Sequence, residues 1–412
     1  MPPYDIRPAR TPAERAAAFN LRYELYVAEQ GLFGESADHE RRELCEPADA
    51  HSTIWVIEHE GEIVGTARLR WGQAGFDEQL RAIFATSRFT DIASEAQMAA
   101  GERMVILPAH RGGSLVVHLV NTMWAHAIER GVELILIDCE PHLLNRWISL
   151  GFRPYGLCEH PTNGTLVRTA YVLGDLAYAE RLGTPLREAL ATWTRSRETA
   201  SALGERLRDS TTVLSQLSAP EQFWPRIEAH TSRAFLCAAL GQLEERELST
   251  LLVGAHYLDC EEGAALIRKH HVSRTLYVLL DGCLDVIDEG ACVARVCEPG
   301  TIFGEVALFA QARRTSDVRA SPGGAQVLAL HERSIRKLID AGSPAASKFL
   351  LCLMRNVSAK FVERTGKHPA RPGRDRSTPS STREPPGALA RRDTRSTSSR
   401  PSDRLLSASS SL

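Results

Sequence analysis

Two stretches of this chain set arginine beside glycine, a fixed cation next to bare backbone, which is a combination suited to holding an anion. They are Arg111, Gly112, Gly113 and Ser114, and then Gly304 and Glu305, followed nine residues on by Arg314. Before them, Arg22, Arg68 and Arg103 supply further guanidinium groups, and Asp49 and Glu102 supply carboxylates, the side chain that most simply accepts a proton. Sulfur and imidazole are less promising. The 9 cysteines include no CxxC, the nearest pair being Cys292 and Cys297, and the 14 histidines include His270 and His271 but no HExxH. Scattered, reduced thiols and no metal centre are expected.

The elements that must position these residues fall into three patterns. Helical and strand periodicities alternate over residues 4 to 178, helical ones prevail from 184 to about 250, and short strands broken by glycines follow to about 332. Within the first pattern, Ser52 to Glu58 and Glu62 to Arg70 read as a hairpin turning at Glu60-Gly61. Arg103 to Leu107 reads as a short strand, Leu115 to Arg130 as a helix, Glu133 to Asp138 as a buried strand and Leu143 to Leu150 as a short helix. From 366 to 412 the composition turns to Ser, Thr, Pro, Arg and Gly, too poor in apolar residues to offset its ordering entropy, so a disordered basic tail is expected.

At 43% hydrophobic and 24% charged, the 412 residues form a globular chain of two or more domains. A net charge of −2 gives the whole chain no electrostatic reason to seek nucleic acid. No signal-like or membrane-spanning apolar run is present, so a cytoplasmic location is expected.

The run ERMVILPAHRGG before the long helix and LLNRWISLGFRPYG after the next strand resemble the GNAT N-acyltransferase superfamily. LRYELYVAEQG from Leu21, EPADAH at Glu46 to His51 and GTARLR at Gly65 to Arg70 look like its autoinducer synthases and long-chain N-acyl amino acid synthases. The resemblance implies that Arg111, Gly112, Gly113 and Ser114 meet the donor's phosphates, that Arg22, Asp49, Arg68 and Arg103 shape the amine or acyl site, and that Glu102, entering the central strand, is the base. Ser114 and Val116 stand where the family has small residues, which favours a long-chain acyl carrier protein donor over acyl-CoA. Trp147 stands where the family has a tyrosine acid, with Tyr155 nearby as the substitute; a protein-bound thiolate can leave without one.

Farther on, glycines at 263, 282 and 300 and the run FGEVALFAQARRTSDVRA from Phe303 resemble the cyclic nucleotide-binding domains and their phosphate-binding cassette. That resemblance implies a helical turn from Gly304 aimed at a cyclic phosphate, Glu305 on the ribose hydroxyl, Arg314 on the exocyclic oxygens and Ala307 small enough for close approach. Arg313 replaces a common proline, and Thr315 and Ser316 keep both cAMP and cGMP open. A lid helix from Phe349 to Val362 would cap the base with Leu351, Met354 or Phe361.

The expected architecture is α+β: a GNAT-like mixed sheet with flanking helices over 4–178, a helical linker over 184–231 with a hinge at Pro220 to Pro225, an antiparallel β-roll over 232–365 and the tail. The expected function is an N-acyltransferase moving an acyl group from acyl carrier protein or CoA to a small amine or amino acid under cyclic-nucleotide control. The alternatives are a nonenzymatic nucleotide sensor and a cAMP-regulated protein-lysine acetyltransferase.

Overall fold

The computed structural model describes residues 4–112, 114–160, 164–186, 190, 197–208, 210–270, 275–305 and 314–366. Gly113, Ala307, Arg313 and the tail beyond 366 lie outside them. Strand β1 (Asp5–Pro8) leads into helix α1 (Pro12–Arg22), which starts where Thr11 and Glu14 cap each other's backbone. The helix runs on into a π-helical segment, Tyr23–Glu29. Then come β2 (Ser52–His59) and β3 (Glu62–Trp71), joined by Glu60 and Gly61 at φ 54° and 84°, the paired positive values of a tight hairpin turn.

Helix α2 (Glu78–Phe84), β4 (Met98–Ile106), α3 (Leu115–Glu129), β5 (Leu134–Cys139), α4 (Leu144–Ser149), β6 (Arg153–His160), β7 (Gly164–Val172) and α5 (Leu176–Leu182) follow. The seven strands lie in the order β1-β2-β3-β4-β5-β7-β6, antiparallel except for β4 and β5. Strand β4 begins five residues before the expected Arg103. Its first four residues, Met98 to Gly101, lack the β-branched signature of a strand but are small enough for a crowded sheet centre, where a Cβ on Gly101 would come within 3.0 Å of Ile137.

Helix α6 (Arg197–Arg208) then closes on the first sheet, for Leu203 and Leu207 share a core with Phe84, Leu136 and Tyr155. Leu186 and Leu190 pack on the opposite face with Trp124 and Ile135, so these linker leucines are core rather than a separate lever. Trp193 lies outside the described residues. Strand β8 (Val213–Ser215) and helices α7 (Pro220–Glu228), α8 (Arg233–Ala239) and α9 (Glu245–Leu251) belong to the second body. The expected hinge is α7 itself: Pro220 opens it, and Phe223 and Ile227 are fully buried.

The second sheet is built from β9 (His256–Cys260), β10 (Ala265–Ile267), β11 (Thr275–Asp288), β12 (Ala291–Val296), β13 (Ile302–Phe303) and β14 (Asp317–His331). Every pairing is antiparallel, along β12-β11-β14-β9-β8 with β10 on β14 and β13 on β11. Pairing of Leu284 with Val296 brings Cys283 opposite Cys297, and the two are disulfide-bonded, which corrects the expectation of reduced thiols throughout. Helices α10 (Glu332–Asp340) and α11 (Pro344–Gly366) complete the chain. No described helix is long and apolar enough to cross a membrane.

The two bodies share a core. Cys139, Leu144, Ile148 and Val167 from the first pack in one cluster with Leu258, Ile267, Tyr277 and Phe303 of the second. Around it, Thr165 Oγ1 donates to the Ala265 carbonyl at 2.6 Å, and Arg268 pairs with Glu159 at 2.5 Å.

Candidate functional site

Five of the residues singled out in the first body, Arg22, Asp49, Arg68, Glu102 and Arg103, converge on one largely buried network. Alternation along β3 turns Arg68 to the α1 face, and the turn of helix at Pro47–His51 holds Asp49 beneath it. Asp49 Oδ1 accepts from Arg22 Nη1 at 2.9 Å and from Arg68 Nη1 at 3.2 Å, while its other oxygen caps Glu46 N–H. Glu46, which sequence reading left inside a motif without a role, is the hub. It accepts from Arg68 Nη1 at 2.9 Å and from Arg103 Nε and Nη2 at 2.7 Å each. Burial opposes its charge, but Arg103, Arg68 and Arg22 outweigh that and hold its carboxyl at about 2. Arg22 is fully enclosed, and its Nε and Nη2 have no hydrogen-bond partner.

Glu102 lies within β4, not at its entrance, and its Oε2 accepts from Arg68 Nε at 3.2 Å and forms an ion pair with Nη2 at 3.1 Å. Arg103 sits at φ 52° where the β3–β4 register slips, a bulge that re-aims β4. Its guanidinium lies 4.2 Å over Phe33, which meets the His160 ring edge-on. Burial and then Arg103 lower the His160 pKa to about 4, leaving a neutral imidazole.

The rungs between β4 and β5 run from Met98–Leu134 to Ala100–Leu136 and stop, so the sheet opens in its middle. Asp138 of β5 stands at that opening, half-buried. Burial first, and then the charge of Glu102, raise its carboxyl to about 6. Nothing in the run Leu-Ile-Leu-Ile-Asp marked it; strand divergence does.

At the donor loop, Arg111 Nε folds back to the Ile106 carbonyl at 2.8 Å, Gly112 takes φ 103°, and Ser114 precedes α3 without capping it. Val116 is buried in the core, so only Ser114 of the two departures faces the loop. Trp147 packs edge-on against Phe152. Tyr155, the proposed substitute acid, is buried on the α2 side, where its hydroxyl donates to the Phe84 carbonyl at 2.8 Å; it does not replace the tyrosine.

In the second body Gly304, Glu305 and Arg314 lie close to one another. Gly304 takes φ 89°, and a Cβ there would lie 2.5 Å from Arg314 Nη1. Arg314, 4% exposed, donates to the carbonyls of Gly304 at 2.7 Å and Thr275 at 2.6 Å. Burial lowers its pKa against the nearby Tyr277, Glu305 and Glu140. Glu305 is also buried, and its Oε1 accepts from Lys360 Nζ of α11 at 2.9 Å. A buried cation beside a glycine turn fits a phosphate. Thr315 is exposed and Ser316 half-buried before β14. Leu351, Met354 and Phe361, expected as base caps, are 49%, 60% and 68% exposed; what α11 turns to the pocket is Lys360. Among the described residues no cluster of metal-ligating side chains occurs.

Residues 17–167 match the family model of the N-acyl amino acid synthase FeeM, and residues 258–341 that of the cyclic nucleotide-binding domain. Among solved structures, FeeM from uncultured soil microbes is 17% identical, with a TM-score of 0.36, covering 46% of this chain and 99% of that one. BjaI, a CoA-dependent acyl-homoserine lactone synthase solved with SAM and isopentyl-CoA, is 16% identical at a TM-score of 0.34, covering 47% and 92%. A cyclic nucleotide-binding domain from Methylobacillus flagellatus KT is 17% identical at 0.31, covering 39% and 92%. No curated protein matches.

Proposed function

We propose, for a chain that joins a FeeM-like N-acyl amino acid synthase domain to a cyclic nucleotide-binding domain, a cytoplasmic enzyme that moves an acyl group from a thioester to an amine under nucleotide control. The donor is a long-chain acyl group on acyl carrier protein or CoA, held at Arg111, Gly112, Gly113 and Ser114. The acceptor is a small amine or amino acid lodged near Arg22, Asp49, Arg68 and Arg103. A GNAT-type sheet suits this, since an opening between two strands frees backbone N–H groups to meet the oxyanion of a thioester under attack. In the second domain cAMP or cGMP sits on Gly304, Glu305, Ala307 and Arg314, with Thr315 and Ser316 beside the phosphate.

One observation supports the link between the two activities: β5 runs from the opening in the first sheet to the core that the two bodies share. Asp138 stands at the opening, Cys139 is buried in the shared core, and the charge of Glu140 acts on Arg314. A second tie runs parallel, for the Arg314 carbonyl accepts the His270 N–H at 2.8 Å, two residues from the Arg268 that grips Glu159. An anion that takes Arg314 from its carbonyl partners therefore perturbs both. Thiol release from acyl carrier protein and acyl-CoA thioesters, with and without saturating cAMP or cGMP, tests the proposal. Rates that differ by about 5- to 150-fold match ordinary coupling, whereas equal rates across donors and amines remove the regulatory half.

A nonenzymatic sensor is the second reading, and Trp147, packed against Phe152 in the acid's place, favours it. No thiol release from any donor would select it.

A further inference from the structure

We propose that Asp138 is the acid–base group of the first domain, taking a proton from the incoming ammonium and returning it to the departing thiolate; the role rests on the acyl-transfer reading above. The last rung joins Ala100 to Leu136, so Glu102 and Asp138, each two residues farther along, face one another across the opening on the same side of the sheet. Leu134 and Leu136 precede Asp138 on that side and are packed against Phe84 and Tyr155, whereas Asp138 itself reaches the surface of the opening.

Its surroundings leave it free to act. Glu102 and Arg103 approach from β4, Tyr26 from the π-helical segment, Tyr155 and Cys158 from β6, and Arg168 is its register partner on β7. Both cations are committed elsewhere: Arg103 to Glu46, and Arg168 to the carbonyls of Ala82 and Ile83. Glu102, by contrast, is engaged by Arg68, whose Nε donates to its Oε2 at 3.2 Å and whose Nη2 lies 3.1 Å from the same oxygen. Burial beside Glu102 gives Asp138 a carboxyl pKa of about 6, between an ordinary aspartate and a thiol, where one group can serve as base and then as acid.

The steps balance. The Asp138 carboxylate removes one proton from R–NH3+, and the freed lone pair attacks the thioester carbon as the carbonyl π pair moves to oxygen. The oxyanion reforms C=O as C–S breaks, its electron pair leaving on sulfur. Protonated Asp138 then gives its proton to the thiolate, and the second ammonium proton passes to water. Ammonium and thioester become amide, thiol and one released proton. This supplies the acid that Trp147 does not, since an indole N–H is no proton donor at neutral pH.

The test compares full-length wild type, Asp138→Asn, Asp138→Glu and Glu102→Gln by thiol release from dodecanoyl carrier protein and dodecanoyl-CoA against the twenty amino acids, from pH 5 to 9. Asp138→Asn is expected to lose about 100-fold or more in kcat/KM, with the donor KM within about twofold, and to lose the acid limb near pH 6. Asp138→Glu should restore part of both, and Glu102→Gln should keep the limb. Wild-type turnover with Asp138→Asn equally active and its limb intact overturns the role of Asp138 while the acyl-transfer reading stands; a wild type that releases no thiol overturns both. Melting supplies a readout free of turnover: Asp138→Asn should raise Tm at pH 8 and not at pH 4, and equal shifts at both pH values would refute a strained carboxylate at this position.

Discussion

In the acyl domain three arginines, the buried Arg22 and Arg68 and the half-buried Arg103, meet three carboxylates, Glu46, Asp49 and Glu102, whereas Arg314 in the nucleotide domain donates to two backbone carbonyls. The first cluster balances its own charge and can hold its shape without any ligand. The second sets its buried guanidinium against the backbone carbonyls of Gly304 and Thr275. Lys360 on Glu305 completes the contrast: that carboxylate has a cation, supplied by helix α11. Under the function proposed above, the first region is the scaffold around the acceptor and the second the receptor of the nucleotide.

Removing the hub of the scaffold is the most severe way to break this comparison. Glu46→Ala removes the ion-pair partner of Arg103 and leaves Arg68 to Asp49 and Glu102, and it should cost about 3 kcal/mol in urea unfolding. The sign with pH follows from its carboxyl being held at about 2, below the ordinary 4.5: Glu46 stabilises the fold above pH 4.5 and that contribution fades as pH falls toward 2. Acid unfolding of Glu46→Gln should accordingly show a shallower slope over that window. In the receptor, Arg314→Ala should weaken cAMP and cGMP binding by about 100-fold or more, from two charge-assisted bonds of roughly 1.5 to 3 kcal/mol each. Calorimetry measures this.

Asp138→Asn probes the scaffold from the opposite side, because here the charge is unfavourable. A carboxyl raised from 3.8 to about 6 costs the folded state stability above pH 6 and nothing below pH 3.8. The substitution should stabilise the protein by about 1 to 3 kcal/mol at pH 8, discounting for partial exposure. Smallest of all, Lys360→Ala should tighten nucleotide binding by up to about fivefold, since it frees Glu305 from a half-exposed ion pair worth about 1 kcal/mol at most. Weaker binding in that variant would make Lys360 a ligand contact rather than a competitor.

What could be read from the chain beforehand was local. Glu60-Gly61 announced the β2–β3 hairpin, and Gly304, Glu305 and Arg314 could be read together because they lie within eleven residues. What could not be read depends on distant partners. Glu46 becomes a hub only when Arg68 and Arg103 arrive from β3 and β4, Lys360 finds Glu305 across 55 residues, and Cys283 meets Cys297 through a hairpin register. Strand β8 is three residues long, too short for alternation to show, and the early start of β4 hides in alanines and a glycine chosen for space. Asp138 looks like the end of a buried strand because nothing nearby says that β4 will part from β5.

The apolar seam in which Cys139, Leu144, Ile148 and Val167 interleave with Leu258, Ile267, Tyr277 and Phe303 also sets how the molecule comes apart. Neither body can lose its order without stripping the other of cover, so calorimetric melting should give a single endotherm in place of two. A nucleotide at 100 times its Kd would then add about 2.7 kcal/mol to the whole assembly. Protease cleavage within the first hundred residues should slow when ligand fills a pocket more than two hundred positions away in the chain.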